Sequence, residues 1–127
     1  MNHMVKLIEL NNITNSLDVL INEKEIHIKI SYKLSKLYKK LIEELEQYEK
    51  NRMKLINKYG NKDLDGNLIV KDNIVELSDI QKFQFEFNEL NNIEIEISFE
   101  QIDIQDFGDI KIAPKHLIVL DKLIKEN

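Results

Sequence analysis

Residues 31–59 read SYKLSKLYKKLIEELEQYEKNRMKLINKY, with no Gly or Pro inside and Gly60 immediately after. Leu34, Tyr38, Leu41, Leu45, Tyr48, Arg52, Leu55 and Tyr59 recur at alternating spacings of four and three, a seam of period 3.5 down one side of a helix. Leu37, Ile42, Met53 and Ile56 flank the seam and widen the apolar face beyond that of a bare two-stranded coiled coil. At 1.5 Å per residue such a helix is roughly 40 Å long, more than a small domain needs. It must cross a sheet, pair with another helix or pair with its own copy. The seam predicts a homo-oligomer, most simply a dimer through this helix.

Toward the N-terminus, residues 26–30, IHIKI, alternate and argue for a strand. No breaker separates them from the long helix, so helical continuation stays open. Residues 12–22 carry Ile13, Leu17, Leu20 and Ile21 at helical spacing, with Asn11, Asn12 or Thr14 as a cap. Residues 4–10 alternate loosely, as a short strand does.

Toward the C-terminus, Gly60 suits the left-handed position that closes a helix. Asp65-Gly66 is a strong turn dipeptide that fits a tight hairpin, with strand candidates at 68–71 and 74–77. Ser78 and Gln81 have the spacing of a capping box. Ile80, Phe83, Phe87 and Leu90 then form a helical stripe that Asn91 and Asn92 stop. Residues 93–99, IEIEISF, put Ile93, Ile95, Ile97 and Phe99 on one face and Glu94, Glu96 and Ser98 on the other, as a half-buried strand does. Ile102 and Ile104 have the opposite parity, so a turn or bulge at Glu100-Gln101 resets the register. Residues 110–112 read as a last short strand. Pro114 opens a closing helix whose buried face is Leu117, Leu120, Leu123 and Ile124. The expected architecture is α+β, a single domain over residues 1–127. One long helix, about 31–59, packs with shorter helices and a small, mainly antiparallel sheet.

A chain of 127 residues supports a core without staples. The absence of Cys excludes disulfides, thiolate metal sites and thiol nucleophiles. No apolar run approaches the ~20 residues of a membrane span, and the N-terminus lacks a secretory pattern; a cytoplasmic location without membrane partners is expected. The net charge of −5 disfavours nonspecific attachment to nucleic acid or an anionic membrane, so no direct nucleic-acid binding is expected. Arg52 is the only Arg in a chain rich in Lys, Ile and Asn, a bias that reports on an AT-rich genome more than on function.

No catalytic signature stands out. His3, His27 and His116 are scattered, none with a second His at metal spacing. Asp63, Asp65, Gly66 and Asn67 resemble the start of a calcium loop, but Gly66 comes too early and Ile74 stands where the closing Glu belongs. No metal, cofactor or catalytic group is expected.

Two charged clusters are candidate binding surfaces. Lys33, Lys36, Lys39 and Lys40 crowd the first turns of the long helix with Tyr32 and Tyr38 among them, where cations oppose the helix dipole. They read as an anion site, Tyr38 stacking on a base and Lys33, Lys36 and Lys40 on phosphates, or as partners of Glu43, Glu44 and other acids. Arg52 joins the ligand candidates, because a guanidinium holds carboxylate or phosphate with two parallel bonds; a bridge to Glu49, Glu86 or Glu89 is the alternative. Glu94, Glu96, Glu100, Asp103, Asp106 and Asp109 crowd a short stretch. They read as a solvated face, or as an acidic ridge that docks a basic host protein.

The helix just quoted, the Glu49 and Arg52 pair, the Lys58-Tyr59-Gly60 end, the Asp65-Gly66-Asn67 turn, Phe87-Asn88-Glu89-Leu90 and the 93–97 strand resemble a domain-of-unknown-function family. Its members are small proteins encoded in phages and prophages of Firmicutes. The resemblance runs from about residue 5 to residue 124. Similar proteins carry a Pro before the long helix, where this chain has Ile26-His27-Ile28. The resemblance implies a phage accessory protein in the host cytoplasm, a non-catalytic binder. Such a binder would interfere with a host process such as defence by sequestering a host protein or a small anionic nucleotide. The alternative it implies is a virion assembly or structural accessory protein.

Overall fold

The computed structural model describes residues 2–108 and 112–125. Strand β1 (Asn2–Lys6) passes through one 3-10 turn into helix α1 (Leu10–Ile21). Leu10, Ile13, Leu17 and Leu20 all point to the core from α1, as their spacing requires.

Helix α2 (Ile28–Tyr59) is 32 residues long, about 48 Å. The strand expected over residues 26–30 does not form. His27 is extended and its Nδ1 accepts the Lys29 N–H at 3.2 Å, satisfying one of the donors that a helix start leaves open. Of the alternating isoleucines Ile30 reaches the core, whereas Ile28 is 76% exposed. Helical spacing, not alternation, sorts them.

At the other end Gly60 is not left-handed. Its backbone is extended, φ −72° and ψ 138°, a conformation open to any residue. Glycine is required there by crowding: a Cβ would lie 2.6 Å from the Ile56 carbonyl oxygen and against the Leu68 side chain.

Strands β2 (Val70–Lys71) and β3 (Ile74–Val75) form an antiparallel hairpin. Its turn is Asp72-Asn73, both at positive φ, the backbone that two-residue hairpins favour. The Asp65-Gly66 pair makes a separate turn inside the Lys62–Leu68 bridge. There Asp63 Oδ1 accepts from the Asp65 and Asn67 amides at 2.9 and 3.0 Å.

Helix α3 (Ile80–Asn91) is capped by Asp79, whose Oδ1 accepts the Lys82 N–H. The capping box expected from Ser78 is absent because Ser78 instead donates its hydroxyl to the Tyr59 carbonyl at 2.9 Å. Strand β4 (Glu94–Ser98) pairs antiparallel with β1, Lys6 opposite Glu94 and His3 opposite Ile97. Strand β5 (Ile102–Asp103) follows, and Asp103 caps a 3-10 turn over residues 104–107. The strand expected at 110–112 lies largely outside the described residues. Helix α4 starts at Pro114 as expected but is short (Pro114–Val119). Leu123 lies in a 3-10 turn and Ile124 in strand β6 (Ile124–Lys125), parallel to β5. Their burial comes from packing beyond the helix, which helical periodicity cannot distinguish from a longer one.

The expected α+β architecture is observed. Among the described residues the strands form three two-stranded sheets, two antiparallel and one parallel. The core gathers Val5, Leu10, Leu17, Leu20, Leu34, Leu41, Ile97 and Leu120 around the N-terminal half of α2. Helices α1 and α3 of the same chain lie along α2, so Leu34, Leu41 and Tyr48 of the seam are covered from within. Among the described residues no helix is long and apolar enough to cross a membrane.

Candidate functional site

The lysines of early α2 obey helical geometry. Lys29, Lys33, Lys36 and Lys40 fall at spacings of four, three and four, which places them on one stripe. Tyr32 stands beside the stripe with the Lys36 Nζ 4.9 Å from its ring centre, a cation–π contact. Facing the stripe across an open cleft of about 460 Å³ are Ser98, Phe99 and Glu100, with Leu37, Ile102 and Leu123 beneath. Those three floor residues are 5–8% exposed. The strand end supplies the second wall because β4 stops at Ser98 and the chain turns toward β5.

The cleft lies within the size range of small-molecule sites and combines an apolar floor with a few polar groups. Its charge is one-sided. Lys33 Nζ sits 3.6 Å from Glu100 Oε2; Lys29, Lys36 and Lys40 have no carboxylate within ion-pair distance among the described residues. Like charges at these spacings repel, and Lys29, in the first turn of α2, opposes the helix dipole. Local helix energetics therefore disfavour the stripe, and a bound anion would relieve it.

The expected ligand residues divide. Lys33, Lys36 and Lys40 line the cleft. Tyr38 does not: it lies about 200° around the helix from Lys36 and packs half-buried against the core. Arg52 is about 24 Å further along the helix axis and bonds Glu49 at 3.0 Å, the structural alternative given by its sequence. Lys29 and Phe99 escape the sequence reading, Lys29 because residues 26–30 look like a strand and Phe99 because alternation assigns it to the core.

The acidic candidates also separate. Glu94 and Glu96 are exposed on β4, and Asp106 is exposed nearby. Glu100 turns to Lys33, while Asp103 accepts the Gln105 N–H at 3.2 Å. Asp109 lies outside the described residues.

Phe99 also borders a second cleft of about 310 Å³ with His3, Glu9, Asn12 and Asp121. The His3 ring stacks on Phe99 at 4.7 Å, and His3 Nε2 is buried without a hydrogen-bond partner. Sequence reading also misses a pair formed by Ser16 Oγ and His116 Nδ1 at 2.9 Å. The distance suits a nucleophile and its base, but Ser16 is only 4% exposed. The pair ties α4 to α1. Among the described residues no group of three or more His, Asp or Glu side chains is arranged to hold a metal ion.

Perturbed ionisation lies away from the cleft. Tyr59 and Lys58 bond the Glu86 carboxyl and hold it below the usual carboxylate range. Glu86 in turn raises the Lys58 ammonium and the Tyr59 phenol. Burial, then the neighbouring Glu49, raises the Tyr48 phenol. These groups join α2 to α3, and none faces the lysine stripe.

Comparison of the chain with protein-family models, curated proteins and solved structures finds no match.

Proposed function

We propose that this chain is a phage-encoded, non-catalytic binding protein that interferes with host defence by sequestering a small nucleotide in the cleft between α2 and the end of β4. The phage origin rests on the sequence resemblance. The ligand class rests on one observation: a lysine stripe and two aromatic rings, Tyr32 and Phe99, line the same apolar-floored cleft. Cations take the phosphate, and a ring supplies a face for the base. Sequestration of a host protein through the acidic residues has weaker support, because Glu100 and Asp103 are already engaged within the chain.

Calorimetry with cyclic nucleotides and ADP-ribose derivatives tests the reading. Binding heat with at least one is expected, and Lys33→Gln with Lys36→Gln should remove it. Absence of heat with every member and with short linear oligonucleotides overturns the nucleotide assignment.

The homo-oligomer belongs to this proposal, with its contact shifted from the centre of the seam to one flank. Ile42, Leu45 and Met53 line a shallow apolar groove on the outside of α2, with Glu46 and Glu49 followed by Lys50 and Lys54. A second copy running antiparallel would set acids against bases.

A further inference from the structure

The lysine stripe is longer than one phosphate requires. Lys29 and Lys40 are separated by eleven residues, roughly 16 Å along the helix axis. The steps between neighbours are four, three and four residues, each about one turn or roughly 5 Å. One or two lysines clamp a single phosphate. Four in line match a row of phosphates, as in a stretched single strand. Single-strand grooves pair such a cationic track with rings on which successive bases stack. Tyr32 is 62% exposed and Phe99 stands on the opposite wall, so two stacking surfaces border the track.

Building on the nucleotide reading of the cleft, we infer that its ligand is a short single strand of two or three nucleotides, with phosphates along Lys29, Lys33, Lys36 and Lys40 and bases against Tyr32 and Phe99. Two features limit its length. The stripe ends at Lys40, beyond which α2 continues with Glu43, Glu44 and Glu46. The whole chain carries a net charge of −5, which repels a long polyanion. The general exclusion of nucleic acid therefore has a local exception one cleft long. Glu100 holds Lys33 until a phosphate displaces it and then faces that phosphate as a like charge, so it lowers affinity for every ligand of this class.

The test is titration of the full chain with AMP, the dinucleotide pApA, the trinucleotide pApApA and a twenty-nucleotide oligo(A), each at several salt concentrations. The second base should tighten binding at least about fivefold through stacking, and the third, with no ring of its own, should add chiefly its phosphate contact. The slope of log affinity on log salt should steepen by roughly 0.7 per added phosphate. Lys29→Gln and Lys40→Gln should weaken pApApA several times more than AMP, and Glu100→Gln should tighten both. Lys71→Gln, on the distant hairpin, serves as the control. The inference is overturned by equal affinity and equal salt slope for AMP and pApApA, which would leave a mononucleotide site and keep the broader reading. It is also overturned if the twenty-mer binds far more tightly than pApApA and with a much steeper salt slope, which would mean an open nucleic-acid groove. If none of the four binds and the cyclic nucleotides also fail, the nucleotide reading falls with it.

Discussion

Replacing Tyr48 by Phe removes one oxygen atom and deprives a second of its donor. The Tyr48 hydroxyl donates to Asn91 Oδ1, and both residues are buried, 8% and 6% exposed. A buried acceptor left unpaired costs about 1–3 kcal/mol, whereas replacing both partners by apolar groups of similar shape is nearly neutral. Tyr48→Phe is expected to lower unfolding free energy in urea by that amount, and Tyr48→Phe with Asn91→Leu to recover most of it. A single mutant within a few tenths of a kcal/mol of the native chain would show that water already serves Asn91. The bond joins the middle of α2 to the last residue of α3, so this local loss loosens two elements together. Sequence reading places Tyr48 on the apolar seam but treats Asn91 as a simple helix stop, because spacing cannot reveal a partner 43 residues away.

At the scale of elements, Gly60 controls how α2 meets the hairpin. With φ at −72°, Gly60→Ala in open space would stabilise the chain by about 0.4–1 kcal/mol through the unfolded state. The Ile56 carbonyl at 2.6 Å from the new methyl reverses the sign, because overpacking costs about 1–3 kcal/mol. A lower urea midpoint is expected, and an unchanged or higher one would refute the crowding argument. The same region shows what is legible from sequence. Helix α2 is readable because its evidence is local: 32 residues without a breaker and a repeating seam. The hairpin is less so, because Asp65-Gly66 and Asp72-Asn73 are both turn formers, and only the pairing of Val70 with Val75 selects the second as the hairpin turn. The cleft is readable by half. Lys33, Lys36 and Lys40 share a helix face by spacing alone, but their opposite wall arrives from residues 98–102, a long-range arrangement that periodicity does not encode.

For the molecule as a whole, the question is what covers α2. A seam of period 3.5 ordinarily recruits a second helix, and here α1 and α3 of the same chain occupy that place. The drive for a coiled coil through Leu34, Leu41 and Tyr48 is thereby already satisfied. The outer stripe is different: Met53 is 42% exposed, and Ile42 and Leu45 are only half-buried. In an antiparallel copy centred near Lys50, Glu46 of each chain meets Lys54 of the other, whereas a parallel copy sets like against like. The stripe is narrow, so such a pairing would belong to the small, weak class of interfaces, under about 1,200 Å². Light scattering is expected to show the mass rising from one chain toward two at concentrations on the order of tens of micromolar, as mass action requires of a weak dimer. Added salt should oppose the rise by screening the exposed pairs. Met53→Lys should hold the chain as a monomer without lowering its unfolding midpoint, because Met53 is outside the core. A native chain that stays single across the whole concentration range removes the dimer. It leaves the cleft untouched, because Lys29, Lys33, Lys36 and Lys40 lie nearer the N-terminal end of α2 than the groove and need nothing from a second copy.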